Sequence, residues 1–273
     1  MKVVPPLLHS LLFAPGNRPE IVAKASRSRA SVTIIDLEDA VPEAEKAVAR
    51  GLFNQLADDG PPLMVRINGS DSPHFRSDLS VLTHKRLTGV ILPKAEYPEQ
   101  IAEVRCATAL PVFPLIESAA GLHNIDAIAG CRGVKALTFG SFDLQADMGM
   151  NCLEEELLYF RSRIVLASRI AGLNGPVDSV CSAIDDAAKV RLETERARRL
   201  GFSGKLCIHP RQVDITNACF RATEEELDWA RRIVEADARS GGAAVKLDGE
   251  MVDRPIVLRA RAILNTMETG HRR

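Results

Sequence analysis

Ionisable side chains follow six of the eight short apolar runs that punctuate this sequence of 273 residues. Carboxylates can hold a hard cation or move a proton, and a guanidinium or an ammonium group binds anionic oxygens. A single polar residue after a strand is usually an ordinary loop residue, but a set after successive strands favours a catalytic rim. The set consists of Asp36, Glu38, Asp39, Arg66, Lys94, Glu96, Glu117, Asp143 and His209.

The apolar runs alternate with amphipathic, helix-like stretches, which is typical of parallel strands joined by helical crossovers. Eight strand–helix units in about 210 residues favour a closed (β/α)8 barrel of the TIM-barrel type, an α/β fold, in which side chains at the carboxyl ends of the strands share one face. An open doubly wound sheet is the alternative, but no G-x-G-x-x-G follows the first run. The predicted strands are 7–13, 32–36, 63–67, 89–93, 112–116, 136–140, 176–180 and 205–209.

The pattern changes after the eighth run, so we predict a barrel over residues 1–221 and a C-terminal helical extension over 222–273. Thr223 and Glu226 form a capping-box signature at the start of a helix. A Gly-rich stretch, 241–253, reads as a mobile hinge, and Pro255 lies in the first turn of a last helix. The layout is therefore expected to be a barrel followed by a C-terminal helical tail that carries a hinge.

Composition excludes several classes of protein. Lys and Arg number 35 against 36 Asp and Glu, a formal charge of -1, which disfavours nucleic-acid binding. There is no apolar run long enough to span a membrane. The cysteines lack any C-x-x-C pair and are expected to be small core residues in a reducing, cytoplasmic compartment. They are Cys106, Cys131, Cys152, Cys181, Cys207 and Cys219.

Two carboxylates are the best candidates for metal ligands. Glu117 and Asp143 follow successive predicted strands and would lie about one strand spacing apart on the barrel rim. Two carboxylates completed by waters and substrate oxygens suit Mg²⁺, which prefers octahedral oxygen coordination. Zinc is disfavoured because the sequence has neither H-E-x-x-H nor a cluster of histidines.

Eight ordered segments along nearly the whole chain resemble a known family. They are LLFAPGNRPE, IIDLEDAVPEAEKAVAR, VRIN, ILPKAE, PLIESAAGLHNIDAIA, LTFGSFDLQADMG, GFSGKLCIHPRQV and DGEMVDRP. Together they are similar to the CitE-like branch of the HpcH/HpaI aldolase and citrate lyase β-subunit family. The resemblance implies a (β/α)8 barrel that assembles as a homotrimer or hexamer, with a C-terminal segment that reaches over a neighbouring subunit's site.

The resemblance also implies roles for residues on the rim. Glu117 and Asp143 correspond to the family's metal ligands, which bind Mg²⁺. Arg66 corresponds to the arginine that contacts the reacting oxygens. Glu38 and Asp39 correspond to acidic residues that hold metal-bound waters and orient the site.

Three further roles follow from the same resemblance. Asp253 is implied as the acid/base group supplied by the adjacent subunit, and Arg18 and Lys94 are implied to bind coenzyme A phosphates or the substrate carboxylate. Structural alternatives stay open for several positions. Glu38 and Asp39 could cap the following helix, Asp253 could be a simple helix N-terminal charge, and Arg18 could be a plain surface residue.

The implied activity is a Mg²⁺-dependent retro-Claisen cleavage of a 3-hydroxyacyl-CoA into an acyl-CoA and a 2-oxo acid. The preferred substrate is (S)-citramalyl-CoA, which gives acetyl-CoA and pyruvate. The alternatives are a citrate lyase β subunit acting on a carrier-bound citryl group, a malyl-CoA lyase or thioesterase, and a non-catalytic protein that binds CoA or an oxo acid. No nucleic-acid or membrane partner is expected.

Overall fold

The computed structural model describes residues 8–151, 155–241 and 243–270, except for the side chains of residues 54, 250 and 266–270. The chain divides into two compact units, Leu8–Phe220 and the part from Arg221 onward. The first unit contains eight parallel strands that close into a barrel in sequence order. The strands are β1 (Ser10–Pro15), β2 (Val32–Asp36), β3 (Leu63–Arg66), β4 (Leu87–Leu92), β5 (Val112–Ile116), β6 (Thr138–Phe139), β7 (Val177–Asp178) and β8 (Gly204–Cys207).

Helices follow the strands on the outside of the barrel, as the alternation predicts, and the predicted fold class is confirmed. Two 3-10 helices, Glu43–Glu45 and Leu79–Thr83, interrupt the crossovers. The α-helices are α1 (Pro19–Ser26), α2 (Lys46–Asn54), α3 (Phe75–Asp78), α4 (Pro98–Ala107), α5 (Ala119–His123), α6 (Ile125–Ala129), α7 (Ser141–Asp147), α8 (Leu158–Ile170), α9 (Ala187–Leu200) and α10 (Pro210–Phe220).

All eight predicted strands are present, but β6 and β7 are shorter than predicted. Each contains two residues, and a single residue pair, Thr138 with Val177, joins them. The chain leaves the sheet early after β6 because Gly140 already begins the turn into α7. The barrel is therefore least extensively paired at the β6–β7 seam.

The low aromatic content, 4% of residues, agrees with how the barrel is filled. Successive residues of a strand point to opposite faces, so alternate positions pack inside the barrel and against the outer helices. Parallel strands that are buried on both faces are built largely from Val, Ile, Leu and Ala. The cluster inside the barrel consists of Leu11, Val32, Ile34, Met64, Ile91, Phe113, Leu115, Ala136, Val177 and Leu206.

The same alternation carries three ionisable side chains onto the rim above this inner cluster. Two residues beyond the inward-facing Ile34, Met64 and Leu115 lie Asp36, Arg66 and Glu117, in that order. Because the strands are parallel, these three side chains meet at the carboxyl-terminal end of the barrel. The fold thus brings strand-end charges to one face, as the spacing predicts.

The cysteines follow the sequence prediction only in part. Cys181, Cys207 and Cys219 are buried, but Cys106 is exposed and Cys131 is partly exposed, so the prediction of a uniformly buried set is wrong for those two. Cys106 occupies the last turn of α4, on a side of the helix that turns away from the barrel. Cys152 lies outside the described residues.

The second unit begins with α11 (Glu224–Ser240), whose capping box forms as predicted. Thr223 N donates to Glu226 at 2.9 Å, and Glu226 N donates to Thr223 Oγ1 at 3.2 Å. The Gly-rich stretch that reads as a mobile hinge instead contains an antiparallel hairpin of β9 (Val245–Leu247) and β10 (Glu250–Val252), followed by α12 (Arg254–Gly270). None of the helices in the described part of the chain has the length and apolarity needed to cross a bilayer.

Candidate active site

An ion pair between neighbouring strands lies at the centre of the rim. Asp36 and Arg66 are register partners at the ends of β2 and β3. Arg66 donates from Nε to Asp36 Oδ1 at 2.7 Å and from Nη2 to Oδ2 at 2.5 Å, a bidentate arrangement that fixes the guanidinium plane. The ring of Phe13 lies 4.7 Å below the guanidinium carbon. Burial alone would lower the pKa of Arg66, but the charge of Asp36, its hydrogen bonds and the charges of Glu38 and Asp39 together outweigh burial and raise the pKa, so Arg66 stays protonated.

The acidic loop after β2 reaches the same guanidinium. Glu38 Oε2 lies 3.0 Å from Arg66 Nη1, close enough for an ion pair but outside hydrogen-bond geometry, and Asp39 Oδ2 lies 3.4 Å from the same nitrogen. Glu38 is buried, whereas the Asp39 side chain is 57% exposed. Burial raises the pKa of Glu38 above its ordinary value, although Arg66 and Lys94 oppose the change. The loop therefore holds one buried and one solvated carboxylate beside Arg66.

Lys94 connects the acidic loop to the end of β5. Its Nζ donates to Glu38 Oε1 at 3.0 Å, and its backbone N–H donates to Glu117 Oε1 at 2.7 Å. Its φ of 48° lies in the left-handed region, which a residue with a Cβ adopts at a cost of about 1–3 kcal/mol. Lys94 makes both hydrogen bonds in this conformation, so the backbone strain lies at the residue that contacts two carboxylates.

Glu117 and the chain after β6 are packed in direct contact. A Cβ on Gly140 would overlap Glu117 Oε2 and would lie 2.6 Å from the Glu117 Cβ, so only glycine allows this approach. Asp143 follows three residues later, exposed in the first turn of α7. Burial raises the pKa of Glu117 to about 8, and the charges of Glu38 and Asp143 act in the same direction.

The donor atoms around Glu117 fit a hard divalent cation. Glu117 Oε2 and both carboxylate oxygens of Asp143 have no hydrogen-bond partner among the described residues. These atoms are negatively charged carboxylate oxygens, the type of ligand that Mg²⁺ prefers. Within the described ranges no group of three or more His, Cys, Asp and Glu side chains could hold a metal ion, so water or substrate must supply the other ligands. The two-carboxylate metal site that the spacing predicts stays a prediction.

Two predicted residues are not drawn into this cluster. Arg18 is exposed at the start of α1, and its guanidinium has no ion pair or hydrogen bond with any residue that the structure describes. Asp253 belongs to the second unit, where it caps α12: its Oδ1 accepts from Ile256 N at 3.3 Å and its backbone oxygen accepts from Val257 N at 3.0 Å. The structural alternative for Asp253 is therefore realised within its own unit.

Sequence patterns do not reveal the residues that support the site from below the rim. The sequence indicates Asp36 only as a strand-end carboxylate, although it anchors Arg66 and also accepts from the backbone N–H groups of Glu38 and Ala40. Lys46, 7% exposed, donates to the carbonyls of both Leu37 and Glu38 at 3.0 Å and so holds the acidic loop. The only signal in the sequence for Lys46 is a lysine that begins an amphipathic helix, which is common on surfaces.

Comparison with known proteins identifies the family of this chain. The model of the HpcH/HpaI aldolase/citrate lyase family matches residues 9–210. The chain belongs to this family. A second model, for carbon–carbon bond lyases of the TIM-barrel fold, matches residues 160–268. Family membership makes the chain an enzyme of the carbon–carbon lyase type.

Relatives align over almost the whole chain. The citrate lyase subunit beta-like protein of Deinococcus radiodurans is 40% identical, with 97% of this chain and 99% of that protein covered. The citrate lyase subunit beta of Leuconostoc mesenteroides is 32% identical (97% and 95% covered), and a (3S)-malyl-CoA thioesterase of Cereibacter sphaeroides is also 32% identical (95% and 94% covered). CitE of Mycobacterium tuberculosis, solved in complex with magnesium, acetoacetate and coenzyme A, superposes with a TM-score of 0.85 at 33% identity, over 95% of this chain and 98% of that one.

Proposed function

We propose that this lyase cleaves a 3-hydroxyacyl-CoA into acetyl-CoA and a 2-oxo acid, with Mg²⁺ held by Glu117 and Asp143. The observation that carries the proposal is the pair of carboxylates with free oxygens beside a buried, fixed Arg66 on the barrel rim. The CitE complex with magnesium, acetoacetate and coenzyme A supports it, because a relative with this fold binds the same three classes of ligand. Mg²⁺, when bound, would orient the 2-oxo acid oxygens and act on them as a Lewis acid.

Arg66 is proposed to stabilise negative charge on the substrate. Cleavage breaks the bond between the hydroxyl-bearing carbon and the carbon next to the thioester, and the electron pair moves onto the thioester as an enolate. A protonated guanidinium held in place by Asp36 can donate to the enolate oxygen without first reorganising. The side chain is 11% exposed, so its charge acts in a poorly hydrated site, where electrostatic stabilisation is strongest.

Two protons must move during the reaction. The substrate hydroxyl loses one as its carbon becomes a carbonyl, and the enolate carbon gains one to give the acetyl group. Asp253 of an adjacent subunit is proposed as the acid/base group for the enolate carbon. Oδ1 caps α12, which leaves Oδ2 with no hydrogen bond to a described residue. Glu38 and Asp39 are proposed to orient the site through Arg66.

Citramalyl-CoA, which releases pyruvate, is proposed as the substrate. The half-buried ring of Phe13 lies directly beneath the Arg66 guanidinium, so an apolar surface adjoins the charged centre. The methyl of pyruvate can rest on such a surface, whereas the second carboxylate of oxaloacetate would lose hydration there. Arg18 and Lys94 are proposed to meet the CoA phosphates or the substrate carboxylate, and the enzyme is proposed to work as a homotrimer or hexamer.

The test compares citramalyl-, malyl- and citryl-CoA as substrates of the purified full chain, with and without Mg²⁺. We expect Mg²⁺-dependent release of equal amounts of acetyl-CoA and oxo acid, fastest from citramalyl-CoA. Glu117→Gln should abolish Mg²⁺ binding and activity. Glu43→Gln is the matched control, because Glu43 is 71% exposed and pairs with His74 away from the cluster. A Glu117→Gln enzyme with full Mg²⁺-dependent activity would overturn the metal assignment.

Thioester hydrolysis is the second candidate function, because the Cereibacter sphaeroides relative is a malyl-CoA thioesterase. The two reactions differ in products: hydrolysis releases free CoA and a hydroxy acid, whereas cleavage releases acetyl-CoA and an oxo acid. A thiol reagent detects only free CoA. Free CoA without acetyl-CoA would therefore select hydrolysis, and activity that appears only with an added acyl-carrier protein would select a citrate lyase β subunit.

A further inference from the structure

The seam between β6 and β7 gives little backbone support to the segment that carries one proposed metal ligand. Backbone pairing between these strands is limited to Thr138 with Val177, and the proposed ligand Asp143 lies five residues beyond that pair. Ligands must be held within about 0.5 Å of their productive geometry to bind a small, rigidly octahedral ion well. The sheet holds this segment on its β5 side, where Gly140 N donates to Ile116 O at 3.0 Å, so on the β7 side contacts beyond the single strand pair must hold it.

Two buried serines bridge the seam beyond the last strand pair. Ser141 donates from its backbone N–H to Ser179 Oγ at 3.0 Å and from its own hydroxyl to the same oxygen at 2.8 Å. Ser141 is 4% exposed and Ser179 is 2% exposed, so water cannot easily replace either bond. Ser141 is the first residue of α7, and Asp143 lies in the same turn.

A buried charged network holds Ser179 from the other side. Lys205 on β8 donates from Nζ to the Ser179 carbonyl at 2.7 Å and lies 3.2 Å from Asp178 Oδ2. Arg161 on α8 donates from Nε to the other oxygen of Asp178 at 2.9 Å. Asp178, Lys205 and Arg161 are each at most 2% exposed. Residue 179 is thus anchored to β8 directly and to α8 through Asp178.

The metal-ligand segment is consequently held at two adjacent residues. Gly140 packs against the Glu117 side chain so closely that a Cβ would overlap it, and Ser141 is bonded to Ser179. The first contact sets the segment's distance from Glu117, and the second sets its distance from β7. Asp143 itself has no hydrogen bond to a described residue, so its position depends on how the start of α7 is held.

We propose that Ser179, hydrogen-bonded to Ser141 and anchored by Lys205, is a positioning residue that sets the affinity of the Glu117–Asp143 site for Mg²⁺. The inference rests on the proposed function for the identity of the two ligands. Ser179 touches neither substrate nor metal in this scheme. It acts by holding the first turn of α7 where Asp143 and Glu117 could bind the same Mg²⁺ ion.

The experiment measures Mg²⁺ binding to the full chain by calorimetry without substrate, together with the Mg²⁺ concentration that half-activates cleavage. Ser179→Ala should raise the Mg²⁺ dissociation constant about tenfold, the lower end of the loss seen when an outer partner of a metal ligand is removed. Turnover at saturating Mg²⁺ should stay near the native value, because the ion itself then completes the site. Ser168→Ala is the matched control, since Ser168 is 0% exposed and its hydroxyl donates to Ile164 O on α8, away from the seam.

A double-mutant cycle separates positioning from general destabilisation. Ser141→Ala removes one of the two hydrogen bonds and should raise the dissociation constant about threefold, the square root of the tenfold effect. Because both bonds end on Ser179 Oγ, the double variant should match Ser179→Ala alone. Should Ser179→Ala fail to fold, Ser141→Ala, which keeps the backbone bond, carries the test by itself.

The outcomes separate a failure of the proposed role of Ser179 from a failure of the proposed metal site. A folded Ser179→Ala protein with native Mg²⁺ affinity overturns the positioning role. The role is also overturned if the double variant shows the product of the two single increases in the Mg²⁺ dissociation constant. An equal loss of Mg²⁺ affinity in Ser168→Ala overturns it as well. If Glu117→Gln leaves Mg²⁺ binding intact, the proposed metal site itself fails. If Glu117→Gln abolishes binding while Ser179→Ala and Ser141→Ala do not weaken it, only the role of Ser179 fails.

Discussion

Replacement of Asp36 by asparagine tests whether one strand-end carboxylate fixes the catalytic arginine. Asp36 is 1% exposed and accepts four hydrogen bonds: two from Arg66 and one each from the backbone N–H groups of Glu38 and Ala40. Asparagine has nearly the same shape but a single acceptor oxygen. In either orientation of the amide, its NH₂ group would face one N–H donor of Arg66 and one backbone N–H donor, and both of these hydrogen bonds would be lost.

The expected loss in the free energy of unfolding of the Asp36→Asn protein follows from those contacts. At least one hydrogen bond to the guanidinium is lost, and a bond to a charged group is worth about 1.5–3 kcal/mol. The Arg66 charge also loses its most buried partner, although Glu38 and Asp39 remain within 3.0 and 3.4 Å of Nη1. We therefore expect a loss of about 3 kcal/mol in the free energy of unfolding. At roughly 2 °C per kcal/mol for a chain of this size, the melting temperature should fall by about 6 °C.

The assay is urea-induced unfolding near neutral pH with a chelator present, followed by steady-state kinetics with Mg²⁺. Asp39→Asn is the matched control: the same chemical change, on a carboxylate that faces the same guanidinium but is 57% exposed, should cost no more than about 0.5 kcal/mol. Displacement of Arg66 should lower kcat/KM of the Asp36→Asn enzyme on the order of 100-fold. Equal effects of the two substitutions on stability and kcat/KM would refute the assignment of Asp36 as the anchor.

Three further predictions concern other parts of the barrel. Gly140→Ala should destabilise the fold by about 1–3 kcal/mol and weaken Mg²⁺ binding in calorimetry, because the added Cβ overlaps Glu117; native affinity would contradict the close packing. Burial alone would raise the pKa of Asp178, but its cationic partners outweigh burial and lower it, so its stabilising effect is complete above pH 3.8 and is lost as the pH falls through the lowered value. Acid titration of unfolding should show a flatter profile for Asp178→Asn. Burial raises the pKa of the Cys207 thiol to about 11, so a thiol reagent should modify Cys106 rapidly in the native protein and Cys207 only after unfolding.

Much of the architecture could be predicted from local sequence patterns. The alternation of apolar runs with helical spacing predicts eight strands, and all eight form. The capping box of Thr223 and Glu226 also forms as the pattern indicates. These features depend on contacts within a few residues, which the sequence displays directly.

The strand-end rule also predicts part of the site. In parallel strands of a barrel the side chains that follow each strand share one face, so Glu117, Arg66 and the acidic loop were expected to meet, and they do. The rule does not say which strand-end charge pairs with which. It also cannot place Asp253, which lies in a separate unit.

Local sequence patterns therefore account for the alternation of strands and helices, the helix cap and the set of charges on one rim. The folded barrel adds the register that pairs Asp36 with Arg66 and the left-handed turn at Lys94, which contacts two carboxylates. It also adds the hydrogen bond from Ser141 to Ser179, which lies 38 residues away in the chain. Propensities and caps act within one or two helical turns, whereas these contacts form only when several strands close the barrel in one register.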